Sequence, residues 1–72
     1  MANVSIKFNN KDYLLSCDDG QEESLKKLTS FLDKRYRELK EKLGNIGENK
    51  LLLITTIQLI DEYFDLKQRV YL

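Results

Sequence analysis

From Leu51 to Leu72 the chain reads as one helix that carries two neighbouring apolar stripes. The first holds Leu52, Thr56, Leu59, Tyr63, Leu66 and Val70, with the alternating three- and four-residue steps of a coiled-coil seam. The second holds Leu53, Ile57, Ile60, Phe64 and Tyr71, interrupted by Lys67. One stripe can pack on the rest of the chain, and the other then needs a second molecule. This surplus of apolar surface points to an oligomeric assembly module and away from an enzyme.

Size sharpens the point. A chain of 72 residues forms one domain at most, and at that length about 60% of the unfolded surface is buried, so stability is marginal. Small domains compensate with disulfides, metals or oligomerisation. Cys17 is the single cysteine, which rules out an intrachain disulfide. With no histidine and no CxxC pair, an ordinary zinc site is excluded as well. Oligomerisation is what remains.

Charge excludes other classes. Twelve basic side chains balance twelve acidic ones, whereas a dedicated nucleic-acid binder carries a basic excess or a dense basic patch. The start, Met1 to Ser5, lacks the basic and apolar regions of a signal peptide. The longest apolar run, Leu51 to Ile54, is far short of the ~20 residues a membrane helix needs. A cytoplasmic protein is expected, which also suits a lone reduced thiol.

Val4, Ile6 and Phe8 alternate with Ser5, Lys7 and Asn9, as in a half-buried strand. Asn9 to Asp12 reads as the hairpin turn, because asparagine tolerates left-handed backbone. Tyr13, Leu15 and Cys17 then mark a second strand. Asp18 to Glu22 is a helix-start signal, with Asp18 or Asp19 as cap and Glu22 completing a capping box. Leu25, Leu28, Leu32, Tyr36, Leu39 and Leu43 form the stripe of a first helix, with Phe31 beside it and Gly44 as C-cap. A short connector, Gly44 to Asn49, has Ile46 plugging the turn, and the second helix starts near Glu48 and runs to the C-terminus.

Catalytic chemistry has little to work with. Glu22 and Glu23 are explained by compensation of the helix dipole. Asp61 and Glu62 fall between the apolar stripes, as a solvated or interhelical charged face. Cys17 is a small packing residue with no histidine to activate it. Gly44 and Gly47 lack the spacing and the lysine of a phosphate loop. No cofactor or metal site is therefore expected. The first helix is densely charged, and its bland reading is a solvated face with spaced ion pairs such as Glu38–Lys42. The sharper reading is a basic docking surface built from Lys34, Arg35 and Lys40, with Lys11 at the hairpin tip.

Taken in order, the hairpin, the run Tyr13-Leu14-Leu15-Ser16-Cys17-Asp18-Asp19-Gly20-Gln21-Glu22, the leucine-stepped helix, a polar turn, Lys50 to Ile54, and Ile60-Asp61-Glu62-Tyr63 resemble the ZapA family of bacterial cell-division proteins. Members of that family bind the tubulin-like division protein FtsZ. The resemblance implies a head made of hairpin and first helix, and a second helix that dimerises as a coiled coil. It also implies dimers, or tetramers built from two dimers, that cross-link FtsZ protofilaments through charged residues of the head. Lys11, Arg35 and Lys40 match basic positions of that surface. Leu14 stands where many relatives carry arginine, and Gly44 where some carry another basic residue, which weakens the carried-over surface. Many relatives continue their coiled coil past the position of Leu72, so a dimer is the expected state.

The chain is thus expected to be an α+β protein: an N-terminal β-hairpin, then two α-helices, the C-terminal one forming a dimeric coiled coil. Residues 1–49 would form the hairpin-plus-helix head and residues 50–72 the dimerisation helix, within a single structural unit. Leu52, Leu59, Tyr63, Leu66 and Val70 are the expected dimer contacts. The expected task is noncatalytic: a bivalent cross-linker of FtsZ at the division septum, with no nucleic-acid or membrane partner. Two rivals are a small dimeric nucleic-acid-binding regulatory protein, reading DNA through its hairpin, and a coiled-coil subunit with no polymer partner.

Overall fold

A computed structural model of the chain describes residues 1–64. The element order is β1 (Ala2–Phe8), β2 (Lys11–Cys17), α1 (Glu22–Leu43) and α2 (Glu48–Tyr63). This is the expected α+β order of a hairpin followed by two helices. Two compact units divide the chain, one from Met1 to Arg37 and one from Glu38 onward, so that α1 runs through the boundary.

In the first unit β1 and β2 form a two-stranded antiparallel sheet, paired from Phe8 opposite Lys11 to Ala2 opposite Cys17. The turn is only Asn9 and Asn10, both in left-handed backbone, at φ 52° and 64°. Two positive φ angles in succession make a type I′ turn, whose twist matches that of the flanking strands. Lys11 and Asp12, expected in the turn, are therefore paired strand residues. Register puts Val4, Ile6 and Phe8 on one face with Leu15, Tyr13 and Lys11. Val4 and Phe8 are buried and Ile6 is half-buried. The Phe8 ring meets Tyr36 of α1 edge-on, centroids 5.0 Å apart, and the Asn9 N–H donates to the Asp33 carboxylate at 2.8 Å. These two contacts hold the hairpin to the helix.

Entry into α1 differs from expectation. The Gln21 N–H donates to the Asp18 carbonyl at 3.1 Å, closing a turn with Gly20 at φ 87°, and the Gln21 carbonyl accepts the first helical bond, from Leu25. Gln21, not either aspartate, stands at the cap position, because the turn is closed by main chain and needs a glycine, not a carboxylate. Along the first unit's part of α1 the inward line is Leu25, Thr29, Leu32 and Tyr36, with Thr29 and Tyr36 buried. The Thr29 hydroxyl is satisfied by the Leu25 carbonyl at 2.9 Å, which lets a polar residue sit in that line. Leu28 and Phe31 lie outside it and are exposed.

The second unit begins in the last turns of α1. Gly44, at φ 79°, ends that helix and donates to the Lys40 carbonyl at 2.8 Å, as expected of a C-cap. Gly47, at φ 107°, starts α2. Ile46 is exposed and does not plug the connector. Among the described residues of this unit, the buried ones are Leu39 of α1 and Leu51, Ile54 and Thr55 of α2. Thr55 is satisfied internally, its hydroxyl donating to the Leu51 carbonyl at 2.7 Å. The inward face of α2 is therefore a third line, Leu51, Ile54 and Thr55, and not one of the two stripes foreseen.

The turn geometry generates a test. Asn10→Val should lower the unfolding free energy by about 1–2 kcal/mol, the cost of left-handed backbone for an ordinary residue, whereas Asn10→Gly should match or exceed the parent. Urea titration of the two variants measures the difference.

Candidate interaction surfaces

Lys11 opens β2 beside the hairpin turn and is exposed. The Asn9–Asp33 bond brings that turn to α1 two positions before Arg35, so Lys11 and Arg35 share one end of the first unit. Arg35 is half-buried, with its guanidinium 5.8 Å from the centre of the Phe31 ring. A cation over an aromatic face is attracted by the ring quadrupole. Arg35 is thus part of a mixed surface with Phe31 and not a freely solvated charge. Arg37 was not foreseen: exposed itself, it pairs with Asp33 at 3.1 Å and so adds a cation beside the hairpin tip. Its four-residue spacing from Asp33 was the available signal. Lys40, also exposed, belongs to the second unit.

On α2 the foreseen contacts Leu52 and Leu59 are half-buried, and Tyr63 is 82% exposed. Leu66 and Val70 lie outside the described residues. The neighbouring stripe is more open, with Leu53 at 57% and Phe64 at 62% exposure and Ile57 and Ile60 also exposed. Because a third line faces inward, both foreseen stripes present apolar surface. Tyr63 and Phe64 meet edge-on at 5.0 Å near the end of the helix. Of the two readings of the charged pair, Asp61 does not fit the solvated one: its Oδ1 is enclosed and accepts no hydrogen bond, while Glu62 is exposed. A buried acceptor left unpaired costs about 1–3 kcal/mol.

Cys17 ends β2 and is half-buried. A shallow recess beside it is lined by Met1, Ser16, Gln21, Leu25 and Leu28. Burial raises the thiol above its ordinary pKa, and the carboxylates of Glu22, Asp18 and Asp19 push it further in the same direction. A raised pKa withholds the thiolate that nucleophilic chemistry requires. Among the described residues no cluster of three His, Cys, Asp or Glu side chains could hold a metal ion. No helix among them is long and apolar enough to cross a membrane.

The sequence profile of the family described as cell division protein ZapA matches residues 4–71 of the chain. No curated protein and no solved structure gives a significant match.

The surroundings of Cys17 set its reactivity. With the folded pKa raised, the thiol stays protonated at a pH where the unfolded thiol already ionises. The alkylation rate of the native protein should therefore inflect at higher pH than that of the urea-denatured chain, and Asp18→Asn should move the native inflection down. An iodoacetamide rate profile against pH checks both.

Proposed function

The chain belongs to the ZapA family of noncatalytic, FtsZ-associated cell-division proteins, and on that premise we propose that it cross-links FtsZ protofilaments as a bivalent homodimer and so stabilises the division ring. The observation that carries this reading is the open apolar surface of α2, from Leu53 through Ile57 and Ile60 to Phe64. Exposed apolar side chains in such a row are characteristic of a surface that pairs with another chain. Leu52, Leu59 and Tyr63 flank it, and the coiled-coil spacing of their stripe suits helix-on-helix packing.

Pairing through α2 gives each assembly two heads. Once one head holds a filament, the other meets the neighbouring filament at high effective concentration, so individually weak contacts still bundle a polymer. The head offers Lys11 and Arg35, with Arg37 beside them, for an acidic surface on FtsZ, and Lys40 adds a further cation late in α1. Such contacts raise association rate and specificity more than affinity and weaken as salt is added. Action in the cytoplasm at the septum follows from the partner.

Co-sedimentation with FtsZ polymer at low and high g-force separates binding from bundling. The parent should do both, with bundling falling as salt rises. Lys11→Glu and Lys40→Glu should each reduce both while leaving the melting curve and the native mass unchanged. Leu59→Asp, which removes about 1.5–3 kcal/mol of apolar burial, should dissociate or unfold the protein and so abolish bundling. A parent protein that neither binds nor bundles FtsZ at low salt would overturn the reading.

A further inference from the structure

One carboxylate stands among the cations proposed for docking. The Asp33 side chain is 19% exposed, and its two oxygens serve different elements. Oδ1 accepts the Asn9 N–H of the hairpin turn at 2.8 Å. Oδ2 accepts from Nη2 of Arg37 at 3.1 Å. An ion pair with so exposed a cation adds little to stability. A negative charge is also out of place on a surface that meets an acidic partner. The consequence of the contact is geometric: it fixes one long side chain relative to the turn.

Helix geometry decides which cation is fixed. Successive residues are turned by about 100°, so Arg35 and Arg37 stand about 200° apart, on opposite flanks of α1. On one flank Arg35 lies over Phe31. Arg37 lies on the other with Asp33, the flank that the turn reaches. Lys11 arrives there by a second route. It pairs with Phe8 across the sheet, and the Phe8 ring lies against Tyr36, the residue before Arg37.

We infer that Asp33 is a positioning residue, which holds Arg37 and the hairpin tip together so that Lys11 and Arg37 act as one two-point site for a pair of carboxylates on the filament partner. This rests on the FtsZ-binding reading and adds which cations work as a unit and what holds them. A guanidinium carries five N–H donors in a planar fork. With Nη2 turned to Asp33, the remaining donors are left for a second carboxylate, and 68% of the Arg37 side chain is exposed to receive it. A fork already held in place loses less freedom on binding than a lysine on its flexible stem. Asp33 acts through Arg37 and the turn and does not itself meet the partner.

The sign of one substitution separates positioning from attraction by charge alone. Asp33→Asn keeps an oxygen for the Asn9 N–H, loosens Arg37 and raises the net charge by one. Attraction alone makes this variant bind an acidic partner more tightly. Positioning makes it bind more weakly: its dissociation constant for FtsZ polymer should rise about fivefold or more at an unchanged melting midpoint. Arg37→Lys keeps the charge and lacks the fork. It should weaken binding about threefold or more, and it decides the matter if Asp33→Asn melts early. The two cations should also be coupled. Lys11→Gln with Arg37→Gln should lose less than the product of the separate losses, whereas the losses from Lys11→Gln and Arg35→Gln should multiply. In the protein alone, rotation of the Arg37 guanidinium about its Nε–Cζ bond, followed by NMR, should be about threefold or more slower than in Asp33→Asn. Equal rotation overturns the inference whatever the partner. Where the parent binds FtsZ, an Asp33→Asn variant that binds as tightly or more tightly overturns it too, as do Lys11 and Arg37 losses that simply multiply. A parent that does not bind FtsZ overturns the filament reading instead, and the rotation measurement then decides whether Asp33 holds Arg37.

Discussion

An α-helix turns about 100° per residue, so consecutive apolar residues face every direction around it. Leu51, Leu52, Leu53 and Ile54 stand in succession at the start of α2, followed by Ile57, Leu59 and Ile60. One line of these, Leu51 and Ile54 with Thr55, is buried, and the remainder is half-covered or open. Among the described residues, burying one side of this helix leaves another turned outward. Assembly with a second chain relieves the conflict. The proposed dimer would supply that second chain, and with it the bivalency on which the proposed filament cross-linking rests.

The first unit solves the opposite problem. A two-stranded hairpin is marginal alone, and this one is held by the Phe8–Tyr36 ring contact and the Asn9–Asp33 hydrogen bond. Both lie at the tip end of the sheet. The Asp33 carboxylate has two roles: it accepts the Asn9 N–H of the turn and pairs with Arg37 one helical turn on. The far end of β2, toward Cys17, retains its open edge and an apolar margin.

What was legible in the sequence follows from how strongly each pattern discriminates. The alternation of Val4, Ile6 and Phe8 and the paired asparagines left little choice for the hairpin, since few residues other than asparagine and glycine accept left-handed backbone. The α1 stripe was legible in outline but took in Leu28, whereas the buried line passes through Thr29. A threonine reads as polar, yet its hydroxyl is satisfied by the carbonyl four residues earlier. Thr55 repeats this on α2. There the failure was larger, because periodicity cannot rank faces when nearly all of them are apolar. Of the basic positions, Lys11 and Lys40 are open as the pattern suggests, whereas Arg35 is half-buried beside Phe31. The residues alone spoke of assembly. The partner came from the resemblance of the whole ordered chain to one family.

The central claim is that folding and association are coupled. Urea unfolding followed by circular dichroism at several protein concentrations tests it most directly, with the native mass measured by light scattering. For a dimer without a stable folded monomer, each tenfold rise in concentration adds about 1.4 kcal/mol to the apparent stability. The account predicts a midpoint that climbs with concentration and a native mass of at least twice the 8.5 kDa chain. A midpoint that does not move, together with a compact particle of 8.5 kDa, would contradict it.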